Sequence, residues 1–172
     1  MEKIGIYSGT FDPVHAGHLA FAREACARAG LTRVLFVPEP QPRGKTGVTP
    51  VAARAAALRT AVSGDPDLGV LSVHSPQFDV AHTLSELRTA LPGAALYLLL
   101  GSDVAAGLEY WPDVRSLLQE LPVIVGVRGV MQQVHVEQAL STLYARLELK
   151  PDYFVLRAAH SHLASSQLRR KQ

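Results

Sequence analysis

Apolar residues in this 172-residue chain gather into short blocks that alternate with longer stretches of helical spacing. Six blocks read as strands: Lys3–Ser8, Arg33–Val37, Gly69–Val73, Ala95–Leu100, Val123–Val127 and Tyr153–Leu156. Several are apolar throughout rather than at every second position, the pattern of parallel strands covered on both faces. Between them, Ala16–Ala29 places Leu19, Ala22, Cys26 and Ala29 on one helical face. Val51–Val62 presents Ala55, Leu58 and Val62, and Thr83–Leu91 presents Leu84, Leu87 and Leu91. Further helices are predicted at Val114–Glu120, Val136–Leu147 and Ser165–Lys171. The alternation predicts an α/β chain with a doubly wound parallel sheet between two helical layers, a single domain over residues 1–172.

Composition narrows the function classes. The formal charge of +2 is too small for a nucleic-acid or membrane surface, although an anionic small ligand would need only a local basic cluster. One cysteine excludes a disulfide framework and a thiolate metal site, and Cys26, in an alanine-rich helical stretch, reads as a small buried hydrophobe. The first residues lack signal-peptide architecture and no apolar run reaches membrane-spanning length, so a cytoplasmic protein is expected. A homo-oligomer stays open.

The candidate chemistry is concentrated in residues 9–18, Gly-Thr-Phe-Asp-Pro-Val-His-Ala-Gly-His, where the first strand should hand over to the first helix. Open α/β sheets hold nucleotide phosphates at such handovers. Gly9 lets the chain turn sharply and a ligand approach the backbone, and Thr10 offers a backbone N–H and a hydroxyl to a phosphate oxygen. Asp12-Pro13 delays the helix to about residues 14–16, and its free N–H groups then point toward the crevice above the sheet. His15 and His18 are one helical turn apart on one face, and Gly17 leaves that face bare for a phosphate or base. Imidazoles can donate hydrogen bonds to oxygens that gain charge during phosphoryl or nucleotidyl transfer. The alternatives are two surface histidines or a zinc pair, which would need a third ligand nearby.

These ten residues closely resemble the signature of the nucleotidyltransferase superfamily that carries a His-x-Gly-His motif, whose members transfer a nucleoside monophosphate from an NTP and release pyrophosphate. Four later segments resemble the bacterial nicotinate-mononucleotide adenylyltransferases within it. Pro42-Arg43-Gly44-Lys45, followed by Arg54, is similar to their Pro-x-x-Lys loop and arginine. Phe78–Leu84 is similar to their Tyr-Thr-x-Asp-Thr-Leu segment at Thr83-Leu84, and departs from it at Asp79-Val80-Ala81-His82. Gly101-Ser102-Asp103 with Leu108 and Trp111 resembles their Gly-x-Asp…Leu-x-x-Trp block, and Ser165-Ser166-Gln167-Leu168-Arg169 their terminal Ser-Ser-Thr-x-Ile-Arg motif. The chain ends three residues after Arg169, where the family continues with a further helix, a difference expected to bear on oligomerisation or stability.

Each segment also has a physical reading. Pro38–Pro50 is a long Pro- and Gly-rich loop, and Arg43 and Lys45 make it a candidate phosphate-binding lid. Asp103, at the end of a buried strand, could accept hydrogen bonds from ribose or adenine, or simply cap a helix. Trp111 is a candidate platform for a pyridine ring, or a core anchor. Ser165 and Ser166 open a helix and could grip a phosphate with Arg169 one turn on, and Arg128 is a weaker candidate for the same task.

The resemblance implies a Rossmann-like nucleotidyltransferase fold and in-line attack by the phosphate of nicotinate mononucleotide on the α-phosphorus of ATP, giving deamido-NAD and pyrophosphate. His18 would stabilise the α-phosphoryl group, while His15, Lys45, Ser166 and Arg169 hold the β/γ end. Gly9, Thr10, Phe11, Gly101, Asp103, Arg128 and Ser165 are the further ATP contacts it implies; Lys45, Arg54, Thr83 and Trp111 would hold the acceptor. Mg²⁺ would be carried on the ATP phosphates. Phosphopantetheine or nicotinamide mononucleotide as acceptor, and a non-catalytic nucleotide sensor on the same fold, are the competing readings.

Overall fold

The computed structural model describes residues 1–157, so the expected helix Ser165–Lys171 and candidates Ser165, Ser166 and Arg169 lie outside the described residues. The order of elements is β1 (Lys3–Gly9), α1 (Ala16–Ala29), β2 (Arg33–Pro38), α2 (Val51–Val62), β3 (Leu68–Val70) and α3 (Thr83–Ala90), followed by β4 (Ala95–Gly101) and α4 (Ser102–Ala106). A single 3-10 turn at Leu108–Tyr110 leads into α5 (Val114–Glu120), β5 (Val123–Val127), α6 (Val130–Arg146) and β6 (Tyr153–Arg157). All strand pairs are parallel, in the order β3-β2-β1-β4-β5-β6. This is the doubly wound arrangement expected from the alternating pattern. Its order reverses between β1 and β4, and both strands end in glycine there, Gly9 and Gly101. No described helix is long and apolar enough to cross a membrane.

Both sheet faces are buried, which is why the strands read as continuous apolar runs. On one side Ile4, Ile6, Leu98, Leu100, Val123 and Val125 pack with Leu87 of α3, Leu117 of α5 and Leu140 and Tyr144 of α6. On the other, Tyr7, Phe36, Leu99 and Ile124 meet Phe21, Ala22 and Ala25 of α1 and Leu58 and Val62 of α2. Burying each such side chain stabilises the fold by about 1.5–3 kcal/mol.

Three expectations need correction. The buried face of α1 is Gly17, Phe21, Ala22 and Ala25, while Leu19, Cys26 and Ala29 are half-buried at its edge. Phe21 sets this rotation by lying on β5, where a side chain on Gly126 would come 3.0 Å from its ring. The third strand is Leu68–Val70 rather than 69–73; it is an edge strand whose ladder ends early, and Leu71 and Val73 pack against the core without it. The sixth helix begins at Val130 rather than Val136, because exposed Val130, Met131 and Val134 break the apolar spacing of its first turns.

Candidate active site

At the carboxyl ends of β1 and β4 lies a cavity of about 630 Å³. It brings together Gly9, Thr10, Phe11, His15, His18, Lys45, Gly101, Asp103, Trp111 and Arg128 from the expected set. Arg54 and Thr83 do not line it.

The two histidines build the start of α1. His15 is its N-cap, in extended backbone conformation, and its Nδ1 accepts the Gly17 N–H at 3.0 Å. His18 reaches back, and its Nδ1 accepts the His15 N–H at 3.1 Å. This is a capping box made with imidazoles instead of the usual Ser/Thr and Glu/Gln. The rings stack with centroids 3.8 Å apart and an interplanar angle of 22°. A nitrogen that accepts a backbone N–H carries no proton, so each neutral ring bears its proton on Nε2. Among the described residues neither Nε2 has a partner.

Burial, followed by the nearby His15, Lys45 and Arg128, pushes the His18 pKa down from 6.5 to about 3. Burial and Arg128 also lower that of His15. Both rings are therefore neutral hydrogen-bond donors near neutral pH, not cations. Both Nδ1 atoms are used in the cap and each Nε2 then carries the ring proton, so a metal bound at Nε2 would have to displace it.

Aromatic side chains hold His18 in place. Phe11 meets it edge-on at 5.0 Å and Tyr7 at 6.1 Å. Phe11 has φ 51° and is 3 % exposed, so it is chiefly a core side chain. What lies against Gly9 is the Phe11 ring, 2.9 Å from where a Cβ would sit. This turn therefore needs glycine to admit a protein ring, in addition to any ligand.

The loop after β2 is fastened at several points. Lys45 Nζ donates to Thr10 Oγ1 at 2.8 Å, which puts the expected lysine at the motif. The Thr49 N–H donates to Asp12 Oδ2 at 2.9 Å. The Arg43 guanidinium lies 4.6 Å from the Trp111 ring centroid and donates to the Phe78 carbonyl at 2.7 Å. Trp111 itself is 9 % exposed and tilted against Phe78, so it is core anchor and cavity wall together.

Arg54 has a different task from the expected acceptor contact. It is 2 % exposed and donates to the carbonyls of Thr49, Thr10, Glu39 and Pro40 at 2.6, 2.7, 2.9 and 3.3 Å. One guanidinium thus joins the ends of β1 and β2 to the loop between β2 and α2. Thr83 is likewise turned inward at 1 % exposure; its hydroxyl donates to the Gln77 carbonyl and accepts the Asp79 N–H. Neither residue faces the cavity, although Arg54 holds Thr10 and Glu39, which line it.

At the β4 end, Gly101 is the N-cap of α4, so Asp103 is an exposed first-turn carboxylate at the cavity and not a cap. Gln132 accepts the Arg128 N–H at 2.6 Å and donates to Ser102 Oγ at 2.7 Å, which fixes Arg128 relative to α4. The sequence reading missed this link, and it missed Glu39. The Glu39 carboxylate is 8 % exposed, accepts from Ser8 Oγ and the Phe78 N–H, and lines the cavity. Its only sequence signal is an acid set between two prolines where an apolar strand ends.

Comparison with known proteins bears on the family and the fold. Residues 6–170 match the family described as cytidylyltransferase-like. A probable nicotinate-nucleotide adenylyltransferase of Thermomicrobium roseum is 32 % identical over 99 % of this chain and 80 % of its own length. One from Carboxydothermus hydrogenoformans is also 32 % identical, over 98 % and 85 %. The fold is that of Plasmodium falciparum nicotinic acid mononucleotide adenylyltransferase complexed with NaAD, with a TM-score of 0.76 and 17 % identity over 99 % of this chain and 83 % of that one. With sequence identity of this order along nearly its whole length, the chain belongs to the cytidylyltransferase-like family and, within it, to the nicotinate-nucleotide adenylyltransferases.

Proposed function

We propose that the protein transfers AMP from ATP to nicotinate mononucleotide, forming deamido-NAD and releasing pyrophosphate. The observation that carries this is the imidazole cap: two neutral rings whose Nε2–H groups have no partner among the described residues, at the mouth of the sheet's switch point. A phosphate oxygen of the acceptor attacks the α-phosphorus of ATP in line. A new P–O bond forms as the bond from the α-phosphorus to the bridging oxygen breaks, and pyrophosphate leaves with that electron pair. Positioning and charge stabilisation carry such reactions, with no covalent intermediate on the protein. His18 donates to the α-phosphoryl oxygens as charge builds there, and the N–H groups at the start of α1 add their dipole.

His15, Lys45 and Arg128 hold the β/γ end in this reading, and Ser165, Ser166 and Arg169 are proposed as its remaining grip. Mg²⁺ carried on the triphosphate would offset part of its negative charge. The cavity carboxylates suit a metal carried by phosphate and water, since Glu39 is committed to Ser8 and Phe78 and leaves Asp103 as an outer contact. We infer a cytoplasmic location, which the availability of ATP there supports.

The test is pyrophosphate release with ATP and each acceptor in turn. Turnover is expected with nicotinate mononucleotide. Turnover only with phosphopantetheine would overturn the acceptor, and ATP binding without turnover on any acceptor would make the protein a sensor.

A further inference from the structure

We propose that Arg43 reads the carboxylate on the acceptor's ring and so makes the enzyme choose nicotinate over nicotinamide mononucleotide; this rests on the adenylyl-transfer reading above. Arg43 and Trp111 line the same cavity, with the guanidinium 4.6 Å from the indole centroid. Its Nη2 is held by the Phe78 carbonyl at 2.7 Å. Its Nη1 is buried with no hydrogen-bond partner among the described residues. A buried donor without a partner is costly, and a ligand that meets it gains the difference.

The other described cations at or beside the cavity are committed elsewhere. Lys45 is bonded to Thr10 beside the histidines, and Lys45 and Arg128 are both near enough to depress the His18 pKa. They belong with the phosphates. Arg54 is consumed by four backbone carbonyls. Among the described cations that line the cavity, Arg43 alone stands on the flat-ring platform.

The acceptor segment leaves this task unfilled. Residues 79–83 do not line the cavity: the Asp79 carboxylate accepts from the His82 backbone and contacts its ring, and Thr83 points inward. Phe78 does not line it either, and the link between this segment and the cavity is Arg43, which lines the cavity and holds the Phe78 carbonyl. A carboxylate offers the guanidinium charge-assisted, two-oxygen pairing, whereas a carboxamide offers one neutral acceptor and a competing donor. Nη1 is buried as the side chain stands, so a turn of the long side chain would be needed to bring it against a ring seated beside the indole.

Steady-state kinetics with both acceptors at saturating ATP test the proposal in the wild type, Arg43→Gln and Arg43→Lys. The wild type should favour nicotinate mononucleotide at least about tenfold in kcat/KM. Arg43→Gln should lose most of that preference through a raised KM for nicotinate mononucleotide, with a smaller change in the KM for ATP. Arg43→Lys should keep part of it, and serves alone if the glutamine variant melts early. An unmoved preference, an equal loss on both acceptors, or a change confined to the KM for ATP would overturn the role of Arg43 and leave the transferase intact. A wild type inactive with both acceptors would overturn the transferase reading, and this proposal with it.

Discussion

His15 and His18 each use Nδ1 to accept a backbone N–H, His15 from Gly17 at 3.0 Å and His18 from His15 itself at 3.1 Å. The pair is thus part of the fold before it is part of any reaction. The cap selects the tautomer that leaves Nε2–H for a ligand, so local folding prepares the chemistry.

Two substitutions at His18 should separate these roles. His18→Ala loses the donor and the cap, and is expected to lower kcat by roughly two orders of magnitude or more and stability by about 1 kcal/mol. His18→Gln can still accept the His15 N–H, as Gln does in an ordinary capping box, so it should recover stability without recovering turnover. Thermal unfolding and pyrophosphate release of the two variants check this; near-normal turnover in either would remove His18 from the chemistry.

The same geometry sets a pH dependence. Unfolded, His18 takes a proton near pH 6.5, but in the fold not until about pH 3. As pH falls below 6.5 the unfolded chain binds protons that the folded one does not, so stability declines; it is fully present above that pH. His15, with its pKa also lowered, acts in the same sense. Glu86 is held down to about 2, from 4.5, first by the His74 N–H, with further hydrogen bonds from the Ser75 hydroxyl and N–H opposing its desolvation. Its contribution is therefore lost only at lower pH. Melting temperature between pH 7 and 5 should fall less in His18→Gln than in the wild type, and equal slopes would contradict the buried neutral imidazole.

Arg54→Gln should cost about 3 kcal/mol, because carbonyls arranged around one buried guanidinium lose their shared donor. The loop carrying Arg43 and Lys45 should loosen with it. Denaturant unfolding reads the first effect, and a rise in KM for both substrates reads the second. A KM change for the acceptor alone, at unchanged stability, would restore Arg54 as a direct acceptor contact.

Gly9→Ala places a methyl group 2.9 Å from Cζ of Phe11, whose ring stands between Tyr7, Phe36 and His18. A destabilisation of about 1–3 kcal/mol is expected as the cluster shifts, together with a drop in kcat from a displaced His18. Wild-type stability and turnover in this variant would show that the ring gives way freely.

Residues whose neighbours in sequence are their neighbours in space were legible. The strands were buried on both faces and so wholly apolar, and the glycine-threonine turn, the two histidines and Lys45 carried their chemistry in short segments. Long-range commitments were not. Arg54 read as an acceptor contact because a lone arginine after a lysine loop looks available, yet its partners lie up to 44 residues away. Thr83 read the same way and is turned into its own loop. The buried face of α1 was misplaced because alanine and cysteine differ too little in hydrophobicity to mark a side, and only Phe21 against Gly126 decides it.

By itself the chain's pattern determined a parallel α/β sheet and the strand-to-helix turn that carries the two histidines, since periodicity and turn chemistry act over a few residues. The tertiary structure decided which cations face the cavity, which are spent on backbone carbonyls, and that Arg43 rests on Trp111. Those outcomes depend on distances between elements far apart in sequence, and hydrogen bonding and desolvation are set by such distances.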